Sequence, residues 1–163
     1  MVLLDKNVTQ LHLSQNQSRQ PFNFKWGPAD KNISDAAYQS GSFQFKAVGQ
    51  MPLAPCHVDF EWGSYYPDLL IKWFRRDRAL IATSIDLAET PMSENTEAYD
   101  VEIMSGSTVV RTFSVPVTSV LYTAAMQAAD FPSGIPNPLI VNIYQISATV
   151  GRGWCKTAQL WTR

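Results

Sequence analysis

The basic residues best placed to bind a charged ligand lie together at the end of one predicted strand. Lys72 is followed by Arg75, Arg76 and Arg78 in the segment KWFRRDR. Guanidinium groups bind phosphates and carboxylates through paired hydrogen bonds, so such a cluster indicates a nucleic-acid patch, a catalytic cluster or a set of ion pairs. The charges carried by neighbouring segments decide between these three.

The segment from Asp86 to Glu102 carries six acidic residues and no basic one. Consecutive strands usually lie side by side in a sheet, so this acidic segment is expected to face the arginines and neutralise them. The formal net charge of the chain is −1, which gives no overall field to attract nucleic acid. We therefore predict ion pairs at the arginines and no nucleic-acid partner.

Catalytic motifs are not recognisable in the chain. His12 and His57 are the two histidines, and neither lies at a metal-binding spacing. The segment VGRGW, at 150–154, lacks the third glycine of a dinucleotide fingerprint and the Gly-Lys pair of a phosphate loop, so it is interpreted as a turn. A glycosidase-like pair of carboxylates stays open, because its spacing is spatial. We predict that the protein is not an enzyme and has no catalytic residue, cofactor or metal.

The segment EWGSYYPD places three aromatic residues in or beside a predicted loop: Trp62, Tyr65 and Tyr66. Loop aromatics of this kind would suit stacking on the sugar rings of a host-surface glycan. The alternative is that Trp62 caps the core face of a strand and the tyrosines cover the end of the domain. Both interpretations stay open, so a receptor- or carbohydrate-binding accessory module is the second functional hypothesis.

Alternation of apolar and polar residues, the period of a β-strand, dominates the chain and predicts an all-β fold. One short helix is expected near 123–130, with Thr123 as its N-cap. Ser105-Gly106 is predicted to form a hairpin turn, after which Val109, Arg111 and Phe113 alternate. The strands of a β-sandwich are predicted near 55–62, 69–76, 79–86, 98–104, 108–114, 118–122 and 139–148, and in the segment WCKTAQL.

A proline-flanked joint, QMPLAP at 50–55, divides the chain into an N-terminal β arm or partial subdomain, 1–52, and the sandwich, 53–163. The arm is expected to hold three or four short strands, which bury little surface and leave unpaired edges. One strand of the arm should place Phe22, Phe24 and Trp26 on one face, and another should do so with Phe43, Phe45 and Ala47. The predicted partner contacts are Phe22, Phe24, Trp26, Phe43 and Phe45 of the arm, with Tyr65 and Tyr66 of the loop.

The two cysteines, Cys56 and Cys155, are too few for a disulfide scaffold. They are predicted to be small buried apolar residues. No apolar run is long enough to span a membrane, so no membrane span is expected.

Several segments, taken in order, resemble the C-terminal fibronectin type III-like region of the tail baseplate hub proteins of siphophages and gene transfer agents. Those hubs are the large tail proteins that carry a TIM-barrel-like domain upstream. The similar segments are DLLIKWFRRDR, TEAYDVEI, VVRTF, YTAAMQAADF and LIVNIYQISATVGRG, preceded by WGPAD and AVGQMPLAPCHVDF. In that family the region ends a much longer polypeptide, and it supplies no catalytic residue to carry over.

The resemblance implies a fibronectin type III-like β-sandwich and a structural role in the tail tip or baseplate of a phage or phage-like particle. It implies that the partners are the central tail hub and other baseplate proteins, in an assembly with three-fold or six-fold symmetry. The implied location is the virion, after assembly in the host cytoplasm. Whether the hub is split between genes or this chain is an independent accessory stays open.

Overall fold

The computed structural model describes residues 14, 17, 20–62, 67–78 and 92–162. The chain divides into two compact units, Met1–Gly49 and Gln50–Arg163. The sequence pattern put a boundary at the proline-flanked joint, between residues 52 and 53. Within the described ranges, no helix is long and apolar enough to cross a membrane.

The first unit contains a two-stranded antiparallel ribbon. Strand β1 (Pro21–Trp26) pairs with strand β2 (Gln39–Gln44), and the register sets Phe22 opposite Phe43. These are two of the three or four short strands expected in the arm. The described residues add no third strand to this sheet.

The second unit is a β-sandwich built from two antiparallel sheets. The smaller sheet has the strand order β3-β4-β7, and the larger has the order β10-β8-β5-β6, with β9 paired to β8. This three-plus-four order is that of a fibronectin type III domain, and it confirms the predicted all-β sandwich. The strands are β3 (Cys56–Trp62), β4 (Leu69–Phe74), β5 (Tyr99–Ser105), β6 (Thr108–Val115), β7 (Ser119–Tyr122), β8 (Leu139–Ser147), β9 (Gly151–Arg152) and β10 (Lys156–Leu160).

The core of the sandwich lies between the two sheets, where every second residue of the central strands points inward. Trp73 is 3% exposed and meets Tyr99 of the opposite sheet edge to face, with ring centroids 5.3 Å apart. Each fully buried side chain of this size stabilises the fold by roughly 1.5–3 kcal/mol. Besides this pair, the buried cluster contains Leu69, Ile71, Val101, Ile103, Val120, Tyr122, Leu139, Val141, Ile143 and Leu160.

The hairpin between β5 and β6 forms where the sequence predicts it, with its turn displaced by one residue. Ser105 pairs with Thr108, so Gly106 and Ser107 make the turn, and Gly106 adopts the left-handed φ of 61°. A bulge between Ile103 and Met104 shifts the register. The predicted alternation therefore fails at Val109, which is exposed, while Val110 packs against the core.

The one α-helix of the described residues, α1 (Ala124–Asp130), confirms the predicted N-cap, and a 3-10 turn lies at Val48–Gln50. The Thr123 hydroxyl accepts a hydrogen bond from the Met126 amide at 3.4 Å, and the Asp68 carboxylate accepts one from the Ala124 amide at 2.7 Å. A helix of seven residues is too short to be stable alone, so its place depends on these caps and on packing against the sandwich.

Two further sequence predictions for this unit concern a strand at 79–86 and the burial of the two cysteines. The strand expected at 79–86 lies outside the described residues. The expectation that both cysteines are buried is wrong, because Cys155 is exposed and Cys56 is partly exposed, and both are free thiols. Cys155 lies just before β10, and its sulfur is 3.7 Å from the Thr157 hydroxyl.

Candidate functional site

The aromatic residues of the ribbon lie on one face because of the register between its two strands. Directly opposed residues of an antiparallel pair share a face, and so do residues two apart along a strand. Phe22 opposes Phe43, and Phe24 opposes Gly41. The aromatic face is defined here as the side of the ribbon that carries Phe22, Phe24, Trp26, Phe43 and Phe45.

The rings of this face contact one another in two groups, and four of the five are about half exposed to solvent. Phe24 and Trp26 lie side by side with centroids 5.5 Å apart and a tilt of 32° between their planes. Phe45 meets both Phe22 and Phe43 edge to face, at 5.7 Å and 4.8 Å. The exposed fractions are 48% for Phe24, 52% for Trp26, 53% for Phe43 and 37% for Phe45. Exposed apolar side chains grouped on one face of a protein are common at interaction surfaces.

Gly41 is the residue that allows Phe24 and Trp26 to lie flat on the ribbon. A Cβ atom at Gly41 would be 3.1 Å from Phe24 Cζ and 3.1 Å from a ring carbon of Trp26. Both rings therefore cover the backbone of the opposite strand where it has no side chain. Sequence reasoning missed Gly41, although a glycine inside a strand signals a close approach of this kind.

The structure changes the expectation for the second strand of the arm. Phe45 shares the aromatic face but lies beyond the end of β2 at Gln44. The strand does not continue to Ala47, since Ala47 adopts a left-handed φ of 52°, which an extended strand does not allow. Tyr65 and Tyr66, the other predicted contact residues, lie outside the described residues.

The connection between β1 and β2 is organised by short-range hydrogen bonds. Asn32 accepts from the Ser34 amide at 3.0 Å, and Asp35 accepts from the Ala37 amide at 2.9 Å. The Tyr38 hydroxyl donates to the carbonyl of Pro28 at 3.0 Å, and its ring packs so close to Gly27 that a Cβ there would be 2.6 Å away. These contacts hold the two strands in one register, so the aromatic face is a preformed surface.

Two of the three arginines of the KWFRRDR segment, Arg75 and Arg78, form the predicted ion pairs with the acidic segment, although β4 and β5 lie in different sheets and not side by side as expected. Arg75 donates to Glu97 at 3.0 Å, and Arg78 donates to Glu94 at 2.6 Å. The intervening Arg76 is exposed. Glu97 also accepts a hydrogen bond from the Tyr99 hydroxyl at 2.8 Å, and burial together with this bond raises the pKa of Tyr99. The arrangement is a structural network that ties residues 92–97 to the end of β4.

The segment VGRGW, predicted to be only a turn, contains the short strand β9 and holds a second internal network. Arg152 donates to Asp100 at 2.8 Å and to Glu102 at 2.6 Å, and its guanidinium lies 4.7 Å from the centre of the Tyr144 ring. A hydrogen bond with Cys155 and partial burial raise the pKa of the Tyr144 hydroxyl. The arginine thus attaches β9 to the outer face of the larger sheet, and its charge is neutralised by protein carboxylates.

Comparisons with known proteins do not identify a family for this chain. No protein-family model matches it, and no curated protein does. Among solved structures, the chain is similar to one titled "Crystal structure of rat CD45 extracellular region, domains d3-d4". The sequence identity is 10%, the match covers 98% of this chain and 74% of that chain, and the TM-score is 0.40. The fold assignment rests on the strand order described above.

Proposed function

We propose that this chain is a structural component of a phage or phage-like tail tip, and that the aromatic face of its ribbon docks on the central hub. The observation that carries the docking is the set of exposed rings on one face of the ribbon. The assignment to a tail tip is supported by the resemblance of the ordered segments from WGPAD to LIVNIYQISATVGRG to hub proteins.

The chemistry of the aromatic face suits a protein partner. Burying the exposed half of one aromatic side chain contributes roughly 1 kcal/mol, so several rings acting together offset much of the entropy lost on association. Aromatic residues at the centre of an interface also carry a disproportionate share of binding energy. A hydrophobic pocket or ridge on the hub is therefore the expected counterpart.

The edges of the ribbon offer a second means of attachment. Each strand of the described ribbon has one paired side, and the described residues place no further strand beside it. Backbone N–H and C=O groups on an open strand edge readily pair with a strand of another chain. Strand addition would fix the orientation of the chain on the hub, while the rings supply most of the apolar contact.

A purified particle tests the proposal directly. The particle encoded by the same genome is fractionated into tails and heads, and the tail tip is analysed by quantitative mass spectrometry. We expect this chain in the tail-tip fraction, in a copy number that is a multiple of three. Its absence from particles that contain the hub would overturn the assignment.

A further inference from the structure

A cavity opens in the sandwich unit beside helix α1. Its volume is about 310 Å³, and Trp62, Gln127, Phe131, Ile135 and Thr162 are among the residues that line it. This volume is at the lower end of the range for small-molecule sites. The cavity is therefore large enough for one ring-sized group.

The walls of the cavity carry no charged side chain among the described residues that line it. Trp62, Phe131 and Ile135 supply apolar surface, and an indole ring is the side chain best suited to stack on a flat apolar face of a ligand. A charged ligand would lose its hydration here without a counter-ion. The lining thus selects a neutral group that has at least one apolar face.

Among the lining residues, Thr162 has a side-chain hydroxyl whose hydrogen bonding is incomplete. The residue is 5% exposed, and its Oγ1 has no hydrogen-bond partner within the described part of the chain. Its backbone amide is held by the Asn137 side chain at 3.0 Å, which fixes the position of the residue. A buried hydroxyl that can both donate and accept is a strong reason to expect a polar partner in the cavity.

The side chain of Gln127, another residue of the lining, is held in one orientation. Both hydrogens of its side-chain amide are used, since Nε2 donates to the Pro67 carbonyl at 2.9 Å and to the Tyr122 carbonyl at 2.8 Å. The remaining polar atom of this side chain is the Oε1 acceptor. Because one bond joins the helix to the loop before β4 and the other joins it to the end of β7, the walls are preorganised for binding.

We propose that this cavity binds a single neutral pyranose ring of a glycan. A sugar ring presents an apolar face that can stack on Trp62, and its hydroxyls can donate to Gln127 Oε1 while exchanging hydrogen bonds with Thr162 Oγ1. A proline ring of a peptide would fill the apolar part, but it carries no N–H or O–H to donate to the Gln127 acceptor. The site lies wholly within the sandwich unit and does not depend on docking of the ribbon.

Saturation-transfer difference NMR on the full chain tests the proposal. The probes are the methyl pyranosides of glucose, galactose, mannose, rhamnose, N-acetylglucosamine and N-acetylgalactosamine at millimolar concentration. We expect saturation of at least one pyranoside, with the largest effect on protons of one ring face. Thr162→Val should weaken that binding about tenfold through loss of one hydrogen bond, and Thr162→Ser should retain most of it.

The matched control is Trp154→Ala, which removes a tryptophan of the same unit that is 51% exposed and does not line the cavity. This control should bind like the wild type, and thermal unfolding should show that all variants are folded. The proposal is overturned if no pyranoside of the panel binds, if Thr162→Val binds as well as the wild type, or if Trp154→Ala abolishes binding. Binding of a proline-rich peptide in place of the pyranosides would overturn it as well.

Discussion

The carboxylate of Asp130 holds together strand β6, strand β7 and the end of helix α1. It accepts hydrogen bonds from Arg111 Nε at 2.6 Å, from Arg111 Nη2 at 2.8 Å and from the Tyr122 hydroxyl at 2.9 Å. Its side chain is 8% exposed, so these partners replace most of its water. The Arg111 guanidinium, assisted by Tyr122, holds the pKa of Asp130 below its ordinary value, although burial acts in the opposite direction.

The lowered pKa predicts how stability depends on pH. Because the folded state favours the charged carboxylate, this contribution is complete above the ordinary pKa of Asp, about 4, and is lost as the pH falls through the lowered value. Asp130→Asn should reduce the free energy of unfolding by about 2 kcal/mol at neutral pH and flatten its dependence on pH below about 4. Denaturant unfolding at a series of pH values measures both effects.

The control for Asp130 is the exposed pair of Lys72 and Glu61, in which the side chains are 43% and 63% exposed. Glu61→Gln should change the free energy of unfolding by less than about 0.5 kcal/mol, because solvent screens the pair. Equal effects of the two substitutions would contradict the role given to Asp130.

Residue-scale features differ in how far the sequence predicts them. The pairing of Arg75 and Arg78 with Glu97 and Glu94 follows from opposite charges in consecutive segments. Thr162 could not be predicted, because the segments that line its cavity are far apart in the chain. Local patterns report neighbours along a strand or helix, whereas a cavity depends on how several elements pack.

At the scale of elements, the arginine network determines whether residues 92–97 stay attached to the end of β4. Arg75→Gln with Arg78→Gln should lower the free energy of unfolding by about 1–2 kcal/mol, because both ion pairs are partly screened. Hydrogen exchange should become faster at residues 92–97. The exposed Arg76 provides the control, and Arg76→Gln should leave both measurements unchanged.

The same variants separate the structural interpretation from nucleic-acid binding. The wild type should show no affinity for duplex DNA at near-physiological salt, since Arg75 and Arg78 are engaged with carboxylates. Measurable binding that the double substitution removes would contradict this interpretation.

The strands were the most predictable elements, because alternation continues over whole segments such as Leu139–Ser147. Local backbone features produced the errors. A register shift after Ile103 reversed the facing of Val109. Strand β2 ends at Gln44, and the left-handed φ of Ala47 does not allow the extended strand expected to reach that residue. Neither feature has a signature that binary patterning contains.

At the scale of the whole molecule, the two units should differ in their resistance to proteases. The described ribbon has two strands and a face of exposed rings, whereas the sandwich encloses a core from both of its sheets. In the free protein, limited proteolysis with mass spectrometry should detect cleavage before about Leu53 first, while the sandwich persists. Equal resistance of residues 1–50 would show that the first unit does not need a partner.

The central claim is that the aromatic face attaches the chain to the hub, and two paired variants test it most directly. Phe24→Ser with Phe43→Ser removes rings from the aromatic face, while Asn23→Ala with Ser42→Ala changes an opposed pair on the other face of the same strands. Each variant is expressed during assembly of the particle, and its copy number in purified tails is measured by quantitative mass spectrometry. We predict that the aromatic variant is depleted at least tenfold from tails while the control is incorporated like the wild type. Equal incorporation of both variants would contradict the account.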